Sequence, residues 1–316
     1  MKALKVIFIV LAIPISIGLV FQFYSTSEDL QRFNKDGALI DIGGYGLYVV
    51  EKSAQTPSLS SSITSHPVTI LFDSGMGDEL SVWNQVVELL PPTVRVITYD
   101  RAGLGWSDES PLPRETKFIV DELHTLITQL EVKEPIILVG HSFGGINVQQ
   151  YALRYPNDIA GLVLIDSAHE EQLVRMPPNS ALRKLLYKFG MWAAPVGIPR
   201  LYLSNSNPVT KAKKSTVKHQ YTSLDEAEMF ETSIQNLKAA NPDFAGLPLT
   251  VIARQNPSSK TKKLDGRDYT WALLQEEIAS RSTNSRLIFS GQKQHSIQRY
   301  QPDIVANAIT DMVDRL

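Results

Sequence analysis

Cysteine is absent from the 316 residues, which excludes a disulfide framework, a thiolate metal site and a cysteine nucleophile. A strong charge of either sign is also missing. With 31 basic and 33 acidic residues the formal net charge is −2, so the chain carries no electrostatic footprint for nucleic acid. No internal repeat is visible. What is present is 43% hydrophobic content, enough to bury a full core in one large domain, or in one domain with an insertion. A disordered chain and a small stapled scaffold are therefore excluded.

The first feature along the chain is an uncharged run. Lys2 and Lys5 precede Val6 to Tyr24, in which only Ser16 and Gln22 are polar. At about 1.5 Å per residue this run makes a helix of roughly 28 Å, close to the hydrocarbon thickness of a bilayer. Three readings apply: an uncleaved anchor, a signal segment cleaved near Ser25-Thr-Ser27 to release a secreted protein, or a buried helix of a soluble protein. The anchor is adopted here. Lysines before the run and Glu28 and Asp29 after it place the N-terminus in the cytoplasm, with the rest of the chain extracytoplasmic.

After this segment the pattern becomes that of an α/β domain. Gly37 to Glu51 alternates around Gly43-Gly44 and reads as a hairpin. A loop rich in serine and threonine follows from Lys52 to His66. Buried strands are expected at Val68 to Phe72, Val94 to Tyr99, Ile136 to Val139, Gly161 to Ile165, Leu249 to Ala253 and Arg286 to Ser290. Helices near Val82 to Leu90, Thr116 to Leu130, Phe143 to Tyr155, Trp271 to Ser280 and Pro302 to Met312 alternate with them. This rhythm predicts a mostly parallel sheet covered on both faces. Between Ser167 and Gly246 the rhythm breaks into helical stretches such as Ala181 to Phe189 and Leu224 to Ala239. An excursion at the strand ends where ligands bind reads as a helical lid. The expected organisation is thus an N-terminal segment over 1–30, a core over 31–166 and 247–316, and a lid over 167–246.

The stretch that organises the chain is Pro135 to Ile146, an apolar strand that runs into Gly140-His-Ser-Phe-Gly-Gly145 and opens a helix. Gly140-x-Ser142-x-Gly144 is the pattern of a nucleophile elbow, whose turn is so sharp that glycines must flank the serine. The bland alternative is a serine that only caps the following helix. Catalysis by a serine needs a base, an acid that orients it, and amides for the oxyanion. This architecture demands the chain order Ser, Asp, His. His295, just past the last strand, is in the position of the base. His141 and His169 are expected to shape the walls of the site, and His66, His124 and His219 are read as surface or helix residues.

Together, Gly140 to Gly145, Tyr99-Asp-Arg-Ala-Gly-Leu-Gly-Trp-Ser107, Leu162-Val-Leu-Ile-Asp-Ser-Ala-His169 and His295 resemble the α/β-hydrolase superfamily. The chain is also similar to membrane-anchored bacterial members. The resemblance implies an α/β-hydrolase fold with an inserted helical lid, and an oxyanion hole made by the backbone amides of Phe143 and Met76. It also implies an acid just after the strand Leu249 to Ala253, but this chain has Arg254-Gln-Asn-Pro257 there. Asp166, at the end of the preceding strand, is the other position that some members use, and it is preferred because a strand end is rigid. Asp265 and Asp268, in the loop beyond Pro257, are the alternatives. Asp100 and Arg101 are expected to form an ion pair that braces the loops.

A serine nucleophile implies an acyl-enzyme route to a small-molecule ester, thioester, amide or activated carbonyl. No cofactor or metal is required. An aminopeptidase is the second reading, with Glu170 and Glu171 as candidates to hold the substrate amine. A non-catalytic binding protein is the third. Lys211, Lys213, Lys214 and Lys218 are expected to form a solvated lid face.

Overall fold

The computed structural model describes residues 2–33, 36–54, 68–176, 180–204, 206–256 and 266–316. Strands β1 (Ala38–Asp41), β2 (Gly46–Lys52), β3 (Thr69–Asp73), β4 (Arg95–Tyr99), β5 (Ile136–His141), β6 (Ile159–Ile165), β7 (Leu249–Ala253) and β8 (Ser285–Phe289) form one sheet in the order β1-β2-β4-β3-β5-β6-β7-β8. The expected hairpin is β1-β2, antiparallel, and β2 also pairs antiparallel with β4. All later pairings are parallel. The serine- and threonine-rich loop from Lys52 lies mostly outside the described residues.

Successive side chains of a strand face opposite sides of the sheet, and the two cores follow this alternation. Ile136 and Leu138 pack with Leu71, Leu162, Leu164 and Val251 on one face, whereas Ile137 and Val139 pack with Ile70, Phe72, Val163 and Ile252 on the other. The first face is covered by α3 (Thr116–Gln129), α4 (Phe143–Arg154) and α10 (Gly266–Ala279). The second is covered by α2 (Asn84–Leu89) and α12 (Pro302–Val313), with the short α11 (Ile297–Tyr300) beside it.

Among its described residues the excursion between β6 and β7 carries helices and no strand: α5 (Gln172–Arg175), α6 (Ser180–Ala193), α7 (Pro199–Tyr202), α8 (Pro208–Lys214) and α9 (Val217–Ala239). Helix α9 begins seven residues before the expected Leu224. Its early buried face is made of His219, Thr222, Ser223 and Glu226, which gives no apolar periodicity to read. Thr216 caps it by accepting a hydrogen bond from the His219 amide.

The lysines of α8 and early α9 are not a solvated face. Lys213 is buried, with its ammonium 3.1 Å from both Asp100 and Glu79, themselves buried. Lys214 reaches Asp78 at 2.6 Å, and Lys218 donates to the Ser107 carbonyl. These carboxylates and carbonyls lie on the loops after β3 and β4, and the lysines fold inward because buried acids require cationic partners.

The leading helix α1 (Lys2–Phe33) is packed on this helical cap. Gly18 lies so close to Val196 that an added Cβ would be 2.8 Å from the Val196 side chain. Buried Gln22 donates to the Ser215 carbonyl at 2.7 Å, and Arg200 binds Gln22, Thr26 and Asp29 together. The expected span from Val6 to Tyr24 is therefore interrupted, because Gly18 and Gln22 within it are part of a protein interface. The side chains of its first six residues lie outside the described ones. Among the described residues no helix is long and apolar enough to cross a membrane.

Removing the Lys213 ammonium leaves two buried carboxylates without their cation. Lys213→Ala is expected to lower the unfolding free energy by about 3–5 kcal/mol, read from urea denaturation. A loss below about 1 kcal/mol, the range of surface pairs, would show that this lysine is solvated after all.

Candidate active site

Strand β5 delivers Ser142 at its carboxyl end. The residue sits at φ 53° and ψ −113°, a left-handed conformation rare for a residue with a side chain. Two contacts explain the flanking glycines. A Cβ on Gly140 would meet the Val148 side chain at 2.6 Å, and one on Gly144 would meet the Asp73 carbonyl at 2.3 Å. The strained turn is fixed by the Ser142 amide donating to Ile165 O and by Ser142 O accepting from Gly145 and Ala168. The serine side chain makes no capping bond to α4, which removes the capping alternative. Its Oγ lies 2.9 Å from Nε2 of His295.

His295 stands on the loop between β8 and α11, and its Nδ1 is 2.6 Å from Oδ2 of Asp166. Asp166 is fully buried at the end of β6. Its other oxygen accepts from the Trp271 indole at 2.7 Å and from the Arg254 amide at 3.2 Å. The three residues expected from chain order are thus brought together. The β7 end, where a carboxylate is missing, supplies a hydrogen bond to the acid instead. Of the alternatives, Asp268 is held by the Arg254 guanidinium at 3.2 Å, and Asp265 lies outside the described residues.

Two residues around the acid were not legible beforehand. Trp271 lies on the buried face of α10 and also meets the His295 ring edge-on at 5.8 Å. The Arg254 guanidinium stacks over the Trp271 ring at 5.2 Å and approaches Asp166 at 3.7 Å. The absence of a carboxylate after β7 was the only signal that pointed to this position.

His141 and His169, expected in the walls, are buried behind the cavity that Ser142 faces and do not line it. His141 lies under the loop that carries His295, and its Nε2 donates to the His295 carbonyl at 3.1 Å. Burial, with the His295 ring next to it, pulls its pKa down to about 4, so it stays neutral. His169 is pulled down to about 3 by burial and the Arg281 cation. His219 is a helix residue, as expected, but not a surface one. It is buried in α9, accepts from the Gly105 amide, donates to the Gly77 carbonyl, and is pulled down to about 3 by burial and Lys214. His124 is half-exposed on α3, and His66 lies outside the described residues.

Two further expectations change. Asp100 and Arg101 do not pair with each other: Asp100 takes Lys213 and the amides of Leu80 and Trp106, whereas Arg101 takes Asp73 and Glu226. Glu170 and Glu171 are occupied by Arg281 and Lys238, so neither is presented to a substrate amine.

Ser142 and His295 open on a cavity of about 730 Å³ roofed by the excursion. Met76, Phe143, Ala168, Leu173, Met176, Phe230 and Trp271 give it apolar walls, and Glu228, Glu231, Arg254 and Arg267 line its polar parts. Phe143 is the first residue of α4, where backbone amides lack partners within the helix and the helix dipole is positive. A more open apolar groove of about 650 Å³ between α1 and the cap contains none of these groups.

Comparison with known proteins agrees on the fold. A family model described as alpha/beta hydrolase fold matches residues 68–311. The uncharacterized protein YqjL of Bacillus subtilis is 28% identical over 248 residues, 78% of this chain and 84% of that protein. Among solved structures, a thermophilic esterase from Thermogutta terrifontis aligns with a TM-score of 0.61 at 19% identity, covering 89% of this chain and 99% of its own. The enol-lactonase from Burkholderia xenovorans LB400 aligns with a TM-score of 0.57 at 19% identity, covering 88% and 99%. At these identities the likeness to the solved structures is one of fold.

Neutral burial of His141, His169 and His219 has a pH consequence. Histidines of an unfolded chain titrate near 6.5, so below that pH the unfolded state binds protons that the folded state refuses until near pH 4 or 3. Stability must then fall as pH is lowered from about 7 to 5, above the range of ordinary carboxylates. Denaturant midpoints across that window measure it, and a flat profile would contradict the neutral burial.

Proposed function

The chain belongs to the alpha/beta hydrolase family, and from that premise we propose that it is a serine hydrolase that cleaves a carboxylic ester or related acyl bond through an acyl-enzyme. The observation that carries this reading is the continuous hydrogen-bonded path from Ser142 Oγ through His295 to buried Asp166, at 2.9 and 2.6 Å. In this reading His295 Nε2 takes the hydroxyl proton as Oγ attacks the acyl carbon. Asp166, acceptor at Nδ1, holds the ring and stabilises the imidazolium. The tetrahedral oxyanion faces the amides of Phe143 and Met76 at the positive end of α4. Return of the proton to the leaving alcohol releases it, and water then repeats the sequence to free the acid.

Ester hydrolysis is favoured over the amine-selective alternative because the two glutamates offered for a substrate amine are already paired. The apolar walls around Ser142 suit an acyl or alcohol part of hydrocarbon character. The family likeness to an esterase and an enol-lactonase is in keeping with ester cleavage.

Membrane attachment through the N-terminal segment is an independent part of the proposal. Its support is the uncharged run and the exposed Ile13, Ile15 and Ile17 of α1. Because Gly18 and Gln22 of α1 are held by the protein, the uncharged run ahead of them, Val6 to Ile17, is roughly 18 Å long at about 1.5 Å per residue. That length favours insertion into one leaflet over the single-pass crossing expected from the sequence.

A fluorophosphonate probe is expected to label the protein, and Ser142→Ala to abolish both labelling and hydrolysis of short-chain esters. Asp166→Asn should lose up to about 10⁴ in turnover and take the probe correspondingly more slowly, because labelling uses the same activated Oγ. Persistent turnover in the alanine variant would remove the serine mechanism. For the membrane, the full chain is expected to sediment with phosphatidylcholine vesicles and a chain lacking residues 2–17 to remain in solution with its esterase activity. Equal sedimentation of the two would refute attachment by this segment.

A further inference from the structure

The loop after β3, Ser74 to Asp78, is held by groups that the catalytic path does not include. Arg101 donates to the Ser74 carbonyl at 2.6 Å and to the Gly75 carbonyl at 2.8 Å. Both polar backbone atoms of Gly77 are bound by the cap helix α9: its amide donates to Glu226 Oε2 at 2.8 Å, and its carbonyl accepts from His219 at 3.1 Å. Glu226 is fully buried and also takes the Arg101 guanidinium, at 2.7 and 3.0 Å. Asp73 holds the remaining end of that guanidinium at 2.5 Å.

This pattern fixes an orientation. No described peptide bond is cis, and in a trans peptide the N–H points opposite to the carbonyl of the same plane. With the Gly75 carbonyl turned to Arg101, the Met76 N–H is turned away from it. The next plane is set by Glu226 through the Gly77 amide. Gly77 has a φ of 63°, and the turn is closed by the Asp78 amide donating to Gly75 O. Met76, between these two clamps, lines the cavity beside Ser142.

We propose that Glu226 of the cap, acting with Arg101, is a positioning residue that sets the oxyanion-binding loop at Met76, so that a docked α9 is a condition for turnover. The proposal rests on the serine-hydrolase reading for what the loop does, and on the hydrogen bonds alone for what holds the loop. An exposed carboxylate would serve neither purpose. Its burial between a guanidinium and a backbone amide makes α9 part of the site, although α9 contributes no reacting atom.

Two readouts on Glu226→Ala, Glu226→Asp and Glu226→Gln separate the possibilities. Hydrogen exchange of the peptide spanning residues 74–78 reports the loop without reference to activity. Turnover per probe-titrated Ser142 reports catalysis without reference to the yield of folded protein. In Glu226→Ala, exchange in the loop is expected to rise and kcat to fall about 10- to 100-fold, with a smaller change in KM, as for a misplaced oxyanion donor. Glu226→Asp, one methylene too short to reach Gly77 and Arg101 together, carries the same expectation if the alanine variant does not fold. Glu226→Gln keeps an acceptor for the Gly77 amide and should recover most of the loss. A folded Asp or Ala variant with wild-type loop exchange, or with wild-type kcat, overturns the proposal. If the wild type neither hydrolyses esters nor takes the probe while loop exchange still rises in the variants, the hydrolase reading falls and the clamp on the loop stands.

Discussion

A carboxylate with no access to water must have its hydration replaced by protein donors, and Asp166 is the point at which that requirement organises the molecule. Its own amide is bonded to β7, and its side chain takes donors from β7, α10 and the loop after β8. Three elements distant in sequence therefore converge at the end of β6. Ser142 is drawn into the same knot, because its amide bonds to Ile165, the residue before the acid. The strain of the elbow is sustained by this convergence, since each neighbouring strand end fixes the next.

The cap is joined to the core by charge as much as by packing. Asp73, Arg101 and Glu226 form one buried chain, and Glu79, Lys213 and Asp100 form another. Both link the loops after β3 and β4 to α8 and α9. Such groups are costly to separate, because parting them would leave charges in an apolar setting. The part of the excursion that carries them behaves as an extension of the sheet edge. Helix α6 instead exposes Leu185, Leu186, Phe189 and Trp192, and its described side chains make no comparable ion pair with the core.

The sheet was legible because its strands are short apolar runs bounded by glycine, proline and polar turns, and the elbow was legible because its glycines are sterically required. Ser142 could be proposed from its elbow, His295 from its place past the last strand, and Asp166 from the family resemblance and its rigid strand end, and this topology brings those strand ends to one edge. What escaped the sequence is of another kind. Arg101 meets Glu226 across 125 positions, and Lys213 meets Asp100 across 113. A lysine folded inward looks the same in sequence as one in water. The first turns of α9 bury polar residues for these contacts, so their periodicity carries no apolar signal. Trp271 likewise reads as an ordinary helix residue until the fold sets its indole on the acid.

The docking of α1 determines where the N-terminal segment connects mechanically. Arg200, Ser215 and the turn at Val196 and Gly197 belong to the cap, and they hold Gln22, Asp29, Gly18 and Phe21. Whatever restrains the start of the chain therefore acts on two bodies at once: the cap, which grips α1 along its side, and the first strand of the sheet, which follows α1 directly in the chain. In a tethered molecule a pull on the N-terminal segment would be shared between them.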